Sequence, residues 1–316
     1  MAEGSHALKR TWTHACFAGQ TWLLRRRLPY LYILVINDRC NLDCHYCDSK
    51  NSGRYDLDRP SALDYLERGA RRGHRALVIT GGEPMLWESQ GATLADIVAA
   101  ATRFGFLEIV VFTNGTFPLT IPGCRYIVTI DGPRQTHDAL RRGTYDTILR
   151  HVREAEGEVF ASVTLSKANE DQIEETVAGI VETGAFKGIS FNLLTNTSEV
   201  VGRLGLTGPS RTSALDRMWR LRRQGYPVML SRAAYKALRR NDWRRPIPQI
   251  ELASKQGFFT CCRDVINPDV CRNCGYTSCV EISQALAGKP TAVLEFLRVL
   301  RGGRRSGSLS SGARRS

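Results

Sequence analysis

Short apolar runs alternate with helical patterns along most of this 316-residue chain, and that alternation limits its fold more than any other feature. Residues 31–36, 76–80, 107–113, 126–130, 158–165 and 188–194 are strand-length stretches rich in Val, Ile and Phe. Between them, residues 61–72, 93–104, 145–156 and 171–183 carry apolar positions at helical spacing. Asn169 is placed to cap the last of these and Gly184 to stop it. Strand and helix in turn predict a parallel sheet with right-handed crossovers. Such sheets carry their chemistry at the carboxyl ends of the strands. Beyond the sixth run, a helix is expected over residues 212–224, where Leu215, Met218, Trp219 and Leu221 read as core. A short strand at 227–230 and a basic helix at 233–240 follow.

With 42% hydrophobic and 24% charged residues, the chain is of ordinary globular composition. No apolar run is long enough to span a bilayer, and the first 14 residues lack the apolar stretch of a secretory signal. A cytoplasmic protein is therefore expected. Ten cysteines in that setting point to metal or redox chemistry rather than disulfides. The formal charge of +13 gathers at the ends, with +4 over residues 1–28 and +5 over residues 301–316. Basic ends suit an anionic surface, membrane or nucleic acid, or are solvated tails. Four regions are expected: a basic amphipathic segment at 1–30, the α/β core at 31–242, a cysteine-rich region at 243–300 that opens with a proline-punctuated linker, and a disordered basic tail at 301–316.

The first apolar run feeds directly into Cys40, Cys44 and Cys47, spaced C-x-x-x-C-x-x-C. Three thiolates this close can hold three corners of a cubane. Four cysteines usually hold a 4Fe–4S cluster, so a three-cysteine loop leaves one iron open to a substrate or cofactor. Part of a zinc site and unrelated buried thiols are the other readings. Gly81-Gly82-Glu83-Pro84 follows the second run. Its glycines allow close backbone approach and positive φ, and its carboxylate can accept from an ammonium group. Thr129-Ile130-Asp131-Gly132-Pro133 ends the fourth run, and His137-Asp138-Ala139-Leu140-Arg141 comes next. Arg141 suits bidentate carboxylate pairing or a surface ion pair, and Asp131 can cap the following helix. Thr113-Asn114-Gly115 reads as a turn whose edge faces a pocket. Asn192, amid apolar residues of the sixth run, reads first as a bonded core amide. Late in the chain stand Cys261, Cys262, Cys271, Cys274 and Cys279. Cys271, Cys274 and Cys279 form a tight triplet to which Cys261 or Cys262 can add a fourth thiolate, enough for zinc or for a full 4Fe–4S cluster. Cys16 and Cys124 are left as small buried hydrophobes.

Together these segments resemble the radical S-adenosylmethionine (radical SAM) superfamily, with a C-terminal auxiliary-cluster region of the SPASM or twitch type. Over roughly residues 8–300 the chain is similar to adenosylhopane-synthase-like radical SAM proteins. That similarity includes the basic amphipathic start, Asn267-Pro268 and the stretch from Cys271 to Tyr276. One more residue separates Cys274 from Cys279 than is usual there. The resemblance implies an open α/β (β/α)6 barrel with a small cysteine-rich iron–sulfur extension. It implies that Cys40, Cys44 and Cys47 hold a 4Fe–4S cluster whose open iron chelates SAM. One electron then cleaves SAM to methionine and a 5′-deoxyadenosyl radical. By the same resemblance Gly81, Gly82, Glu83 and Pro84 receive the methionyl amine. Thr129 stands near the ribose in place of a serine, Arg141 faces the SAM carboxylate, and Tyr46 lies beside the adenine. The other reading of Asn192 is that it reaches SAM or substrate. Cys261 or Cys262 with Cys271, Cys274 and Cys279 would hold a second 4Fe–4S cluster.

The expected partners are a reductant protein such as flavodoxin or ferredoxin and a lipid or peptide substrate. A lipid or polyprenoid follows from the whole-chain resemblance and from the start of the chain. There Leu8, Trp12, Ala15 and Leu23 can form one face of an interfacial helix beside Arg25–Arg27, with peripheral membrane contact, or cover the open barrel. A peptide, as in peptide-maturing relatives, fits the Asp131-Gly132-Pro133…His137-Asp138 segment. The non-enzymatic alternative is a metal-binding module that contacts nucleic acid through its basic ends, a partner not expected beside these motifs.

Overall fold

The computed structural model describes residues 28–47, 56–194, 199–262 and 267–300, together with positions 17, 19–21, 51 and 53. Its framework is an eight-stranded sheet. In chain order the strands are β1 (Leu31–Val35), β2 (Ala76–Thr80), β3 (Glu108–Thr113), β4 (Arg125–Thr129), β5 (Val159–Leu165), β6 (Ile189–Leu193), β7 (Ile250–Ser254) and β8 (Gly257–Thr260). The spatial order is β8-β7-β1-β2-β3-β4-β5-β6. Every pairing is parallel except β7 with β8. The first six strands are the six apolar runs, and they lie in sequence order as successive crossovers require.

The crossovers are α1 (Arg59–Arg71) before β2, α2 (Leu94–Phe104) before β3, α3 (Arg134–Arg141) and α4 (Tyr145–Arg153) before β5, and α5 (Ile173–Glu182) before β6. Local chemistry sets their ends. The Asp58 side chain accepts from the N–H of Ser61 at the start of α1. Thr93 and Asp96 form a capping box on α2, which stops at left-handed Gly105. Asn169 does not cap a helix as expected. Its Oδ1 accepts from the N–H of Ser166 at 2.8 Å, and a 3-10 turn over Glu170–Gln172 precedes α5.

Strand residues alternate between two faces. Leu34, Leu77, Ile79, Val111, Tyr126, Val128, Ala161 and Phe191 are buried in the main core, beneath the crossover helices. On the opposite face, Ile33, Val78, Val110, Phe112 and Ile127 are only half-buried, as are Thr164 and Asn192. That inner face runs from apolar on β1–β4 to polar on β5 and β6, where Ser162 pairs with Ser190 and Thr164 with Asn192.

After β6 come α6 (Glu199–Leu204), α7 (Gly208–Arg223) and α8 (Arg232–Arg240), and after β8 come α9 (Pro268–Arg272), α10 (Thr277–Leu286) and α11 (Pro290–Leu300). The strand expected at 227–230 is reduced to a single parallel bridge between Ile189 and Val228. The larger departure is β7, which extends the core sheet by pairing with β1 from Leu31↔Ile250 to Leu34↔Ala253. Glu251 binds it outward to Arg68 of α1 and to Arg72 just beyond it. The cysteine-rich region therefore shares the sheet of the core. Arg125 at the start of β4 holds the carbonyls of Val299 and Leu300 at 3.1 and 2.9 Å. Cys124 is buried beside it, as expected. Among the described residues, no helix is long and apolar enough to cross a membrane. The expected interfacial face from Leu8 to Leu23, Cys16, and the tail at 301–316 lie outside the described residues.

Candidate functional site

Three loops meet at the carboxyl ends of β1, β2 and β3. The loop after β1 carries the first cysteines, and the Gly81-Gly82 turn after β2 packs against it backbone to backbone. The N–H of Gly82 donates to the Asn37 carbonyl at 3.0 Å and that of Glu83 to the Arg39 carbonyl at 2.7 Å. A Cβ on Gly81 would lie 2.3 Å from the Asn37 carbonyl oxygen, and one on Gly82 would lie 2.4 Å from that of Arg39. The glycines are thus required by contact with the cysteine loop. Neither takes the positive φ that the sequence led us to expect.

Glu83 is completely buried. Its Oε1 accepts from the Thr113 hydroxyl at 2.7 Å and from the N–H of Met85 at 3.0 Å, and its Oε2 accepts from the N–H of Asn114 at 2.7 Å. Burial pushes its carboxyl up, while the N–H and hydroxyl donors pull it down. This carboxylate joins the β2 loop to the β3 loop from inside. The carboxylate has no exposed surface, and its described partners are these three donors. Pro84, also buried, opens a 3-10 turn over Pro84–Leu86. Asn114 completes the junction, with Nδ2 2.9 Å from Asn41 Oδ1 and 3.9 Å from Cys40 Sγ.

Cys44 is buried and Cys40 and Cys47 are half-buried. Cys40 Sγ accepts from the N–H of Leu42 at 3.4 Å. Burial pushes the Cys40 and Cys44 thiols up; Arg141 pulls Cys44 down, Cys47 raises both, and Cys40 raises Cys44. Among the described residues, no group of three His, Cys, Asp or Glu side chains already stands in single-ion geometry. The fit to an iron–sulfur cluster is instead judged from the thiols' surroundings. Three adjoining thiols, two with N–H donors or a guanidinium turned to them, suit the thiolate form once a cationic centre offsets their burial.

Half-buried Tyr46 and buried Asp131 and Arg141 form one unit against this loop. Asp131 has no exposed surface. Its Oδ1 accepts from the N–H of Thr164 at 2.7 Å, and its Oδ2 accepts from Arg141 Nε at 2.5 Å and from the Tyr46 hydroxyl. Arg141 Nη2 donates to that same hydroxyl at 2.6 Å. Burial opposes the Arg141 charge, but Asp131, Tyr46 and Cys44 outweigh it and raise its pKa. Burial pushes His137 down to about 4. The neutral ring accepts the N–H of Asp131 at Nδ1, 3.2 Å away, and therefore donates from Nε2 to the Thr144 hydroxyl at 3.1 Å. Two expectations change here. Asp131 does not cap α3, whose cap position is Pro133, and Arg141 is not in a surface ion pair. Its Nη1 takes no part in these bonds. Thr129 is buried at the inner end of β4. Asn192 donates to Ser162 Oγ at 3.2 Å, but its buried Oδ1 has no partner, so this amide is only half satisfied.

The second cysteine set gathers beyond the opposite edge of the core. The N–H of Leu193 donates to the Gly275 carbonyl at 3.0 Å, and the Thr277 hydroxyl donates to the Phe191 carbonyl. A Cβ on Gly275 would lie 2.2 Å from the Leu193 carbonyl oxygen. Asn267 caps α9, which carries Cys271. Cys261 follows β8 and its N–H donates to the Ile250 carbonyl at 2.8 Å. Its thiol hydrogen-bonds with those of Cys262 and Cys279. Burial pushes Cys274 up to about 12, with Cys261, Cys262 and Cys271 adding to the effect. All five expected thiols therefore converge. The Tyr46–Asp131–Arg141 unit and Ser162 were not legible as partners, since nothing local in the sequence marks bonds between residues so far apart.

The Radical SAM superfamily model matches residues 34–180. Among curated proteins, the sporulation killing factor maturation protein SkfB of Bacillus subtilis (strain 168) is 25% identical over 174 residues, which covers 50% of this chain and 41% of that protein. A GTP 3′,8-cyclase of Bradyrhizobium diazoefficiens is 27% identical over 165 residues, covering 47% of this chain and 48% of that protein. The matches thus span under half the length of these relatives. Among solved structures, Streptococcus suis SuiB bound to S-adenosylmethionine superposes with a TM-score of 0.58 at 13% identity, covering 76% of this chain and 62% of that chain. SuiB bound to the precursor peptide SuiA gives a TM-score of 0.54. These likenesses establish the fold.

Proposed function

We propose, on the premise that residues 34–180 of this radical SAM enzyme are its radical SAM domain, that it holds a 4Fe–4S cluster on Cys40, Cys44 and Cys47 and acts on a peptide. One observation carries the placement of the site. The cysteine loop is clamped by backbone contact to Gly81-Gly82, and that turn is clamped by Glu83 to Asn114. A bound cluster with SAM on its open iron supplies reductive cleavage of SAM to methionine and a 5′-deoxyadenosyl radical. The chain's own residues would bind and shield. The backbone of Gly81 to Pro84 would receive the methionyl amine, Arg141 Nη1 the carboxylate, Thr129 the ribose, and the loop around Tyr46 the adenine. A reductant protein such as flavodoxin or ferredoxin would deliver the electron. The thiols of Cys271, Cys274 and Cys279, with Cys261 or Cys262, would hold a second 4Fe–4S cluster.

Two features favour a peptide. SkfB is named for maturation of a sporulation killing factor, and SuiB is solved with a precursor peptide. The inner faces of β5 and β6 offer hydroxyls and the unpartnered Asn192 Oδ1, which suit backbone amides better than hydrocarbon. The lipid expectation gains nothing from the relatives reported above, and the membrane-facing residues it invoked lie outside the described ones.

The test is anaerobic incubation with SAM, dithionite and either a peptide pool or a polyprenoid pool. 5′-Deoxyadenosine should form with the wild type and be absent when Cys40, Cys44 and Cys47 are all replaced by Ala. Cleavage retained in that variant rejects the site. A mass change confined to the polyprenoid pool rejects the peptide.

A further inference from the structure

Two arginines beside the second cysteine set have no acidic partner among the described residues. Arg211 Nη2 donates to the Cys274 carbonyl at 3.1 Å. Arg245 Nη2 donates to the Asn241 carbonyl at 3.0 Å, and its guanidinium lies 4.8 Å from the centre of the Trp243 ring. Arg245 Nη1 is buried and has no partner at all. Burial pushes Arg211 down; the Cys274 thiol offsets this, and the like charge of Arg245 adds to it. Arg245 in turn lies in the field of Cys271. Of the other arginines withdrawn from solvent, Arg125, Arg141, Arg217 and Arg222 each meet a carboxylate, and Arg75 donates to the carbonyls of Ala70 and His74.

Two neighbouring cations without a carboxylate are unfavourable unless an anion lies between them. Here the groups available to become that anion are the thiols. Four thiolates around a 4Fe–4S core of charge +2 give a centre of charge −2, which one electron takes to −3. Two guanidiniums match the first state and stabilise the second more strongly. We propose that Arg211 and Arg245 are the charge-compensating pair of an anionic metal–thiolate centre on the second cysteine set, and that they set how readily it accepts an electron. This rests on the second-cluster reading above. No bond is made or broken and no proton moves. The electron comes from an external reductant, dithionite in the test.

The experiment uses the full chain with Cys40, Cys44 and Cys47 replaced by Ala, so that only the second centre reports. Iron and zinc are counted, and the midpoint potential is followed by EPR in a mediated titration. Arg211→Gln and Arg245→Gln should each keep the iron and shift the reduction equilibrium roughly tenfold toward the oxidised form, about 59 mV for a one-electron couple. The double variant should shift further, and Arg211→Lys should restore most of the potential. Unchanged potentials in both single variants and the double overturn the proposal. If Arg211→Gln does not fold, Arg245→Gln, at a half-buried position, decides alone. If the site carries zinc, the second-cluster reading fails separately. Charge compensation is then judged by zinc loss to a chelator, which should accelerate in both Gln variants; equal rates overturn it.

Discussion

The Tyr46 hydroxyl donates to the carboxylate of Asp131 at the end of β4, 85 residues further along the chain. Arg141 reaches both from α3. The cysteine loop is thereby fastened at its far end as well as at Gly82, and its last cysteine cannot move independently of β4. Tyr46→Phe should leave all three thiols in place but release that end. Hydrogen bonds to charged groups contribute about 1.5–3 kcal/mol. The variant should lose roughly 2 kcal/mol of stability and release first-site iron to a chelator faster than the wild type. Iron release at the wild-type rate would show that the hydroxyl does not hold the loop.

Removing Glu83 should damage the fold before it affects ligand binding. Glu83→Ala leaves the Thr113 hydroxyl and the N–H groups of Met85 and Asn114 without their acceptor. Each buried unsatisfied group costs about 1–3 kcal/mol, a large share of the ~5–15 kcal/mol that holds a domain together. Denaturant unfolding should show a loss of several kcal/mol, with a smaller loss for Glu83→Gln. Normal stability with weakened SAM binding would instead make Glu83 an ammonium ligand.

Gly82→Ala should act through the cysteine loop. Its Cβ would stand 2.4 Å from the Arg39 carbonyl oxygen and 2.5 Å from that of Asp38, both backbone atoms with little room to yield. Overpacking of this kind costs about 1–3 kcal/mol. The measurable consequence is displacement of Cys40, seen as reduced iron occupancy at the first site with the second site unaffected. Full occupancy at both sites would contradict it.

Glu281 on α10 sets a pH dependence. Burial pushes its carboxyl up to about 7; the N–H and hydroxyl of Ser231 oppose this, Glu295 adds to it, and Arg222 opposes it. The folded state therefore binds this proton more tightly than the unfolded one, whose pKa is near 4.5. Its contribution is fully present below about pH 4.5 and is lost as pH rises through about 7. At 1.4 kcal/mol per unit the loss is on the order of 3 kcal/mol. Glu281→Gln keeps a carbonyl for the Ser231 N–H and removes the titration. It should match the wild type in melting temperature near pH 5 and exceed it at pH 8. A constant gap between the two pH values would rule this out.

Much of the sheet was readable because strand and helix periods are local. The runs at 31–36 and 76–80 became β1 and β2 almost residue for residue. The cysteine loop and the Gly81-Gly82 turn were legible because their spacing carries the chemistry. The bonding of Glu83 was not, since an exposed and a buried carboxylate have the same letter, and only the neighbouring Thr113-Asn114 turn decides between them. Similarly, β7 looked like part of a separate region because its partner is β1, more than 200 positions earlier. The pairing of Arg141 with Asp131 rather than a surface acid depends on the depth at which α3 lies.

The second cysteine set also has a mechanical meaning. Cys261 leaves β8, the outermost strand on one side of the sheet, while Cys274 and Gly275 are sewn to β6, the outermost strand on the other. Thiols from these two margins lie within one another's electrostatic reach. A metal centre shared between them would act as a buckle, completing by coordination a circumference that the strands leave open. Without it, the β8 margin with half-exposed Phe258 is left unfastened, and bare strand margins are templates for self-association. Protein stripped of metal should therefore clump through this seam, and reloading the buckle should return it to solution.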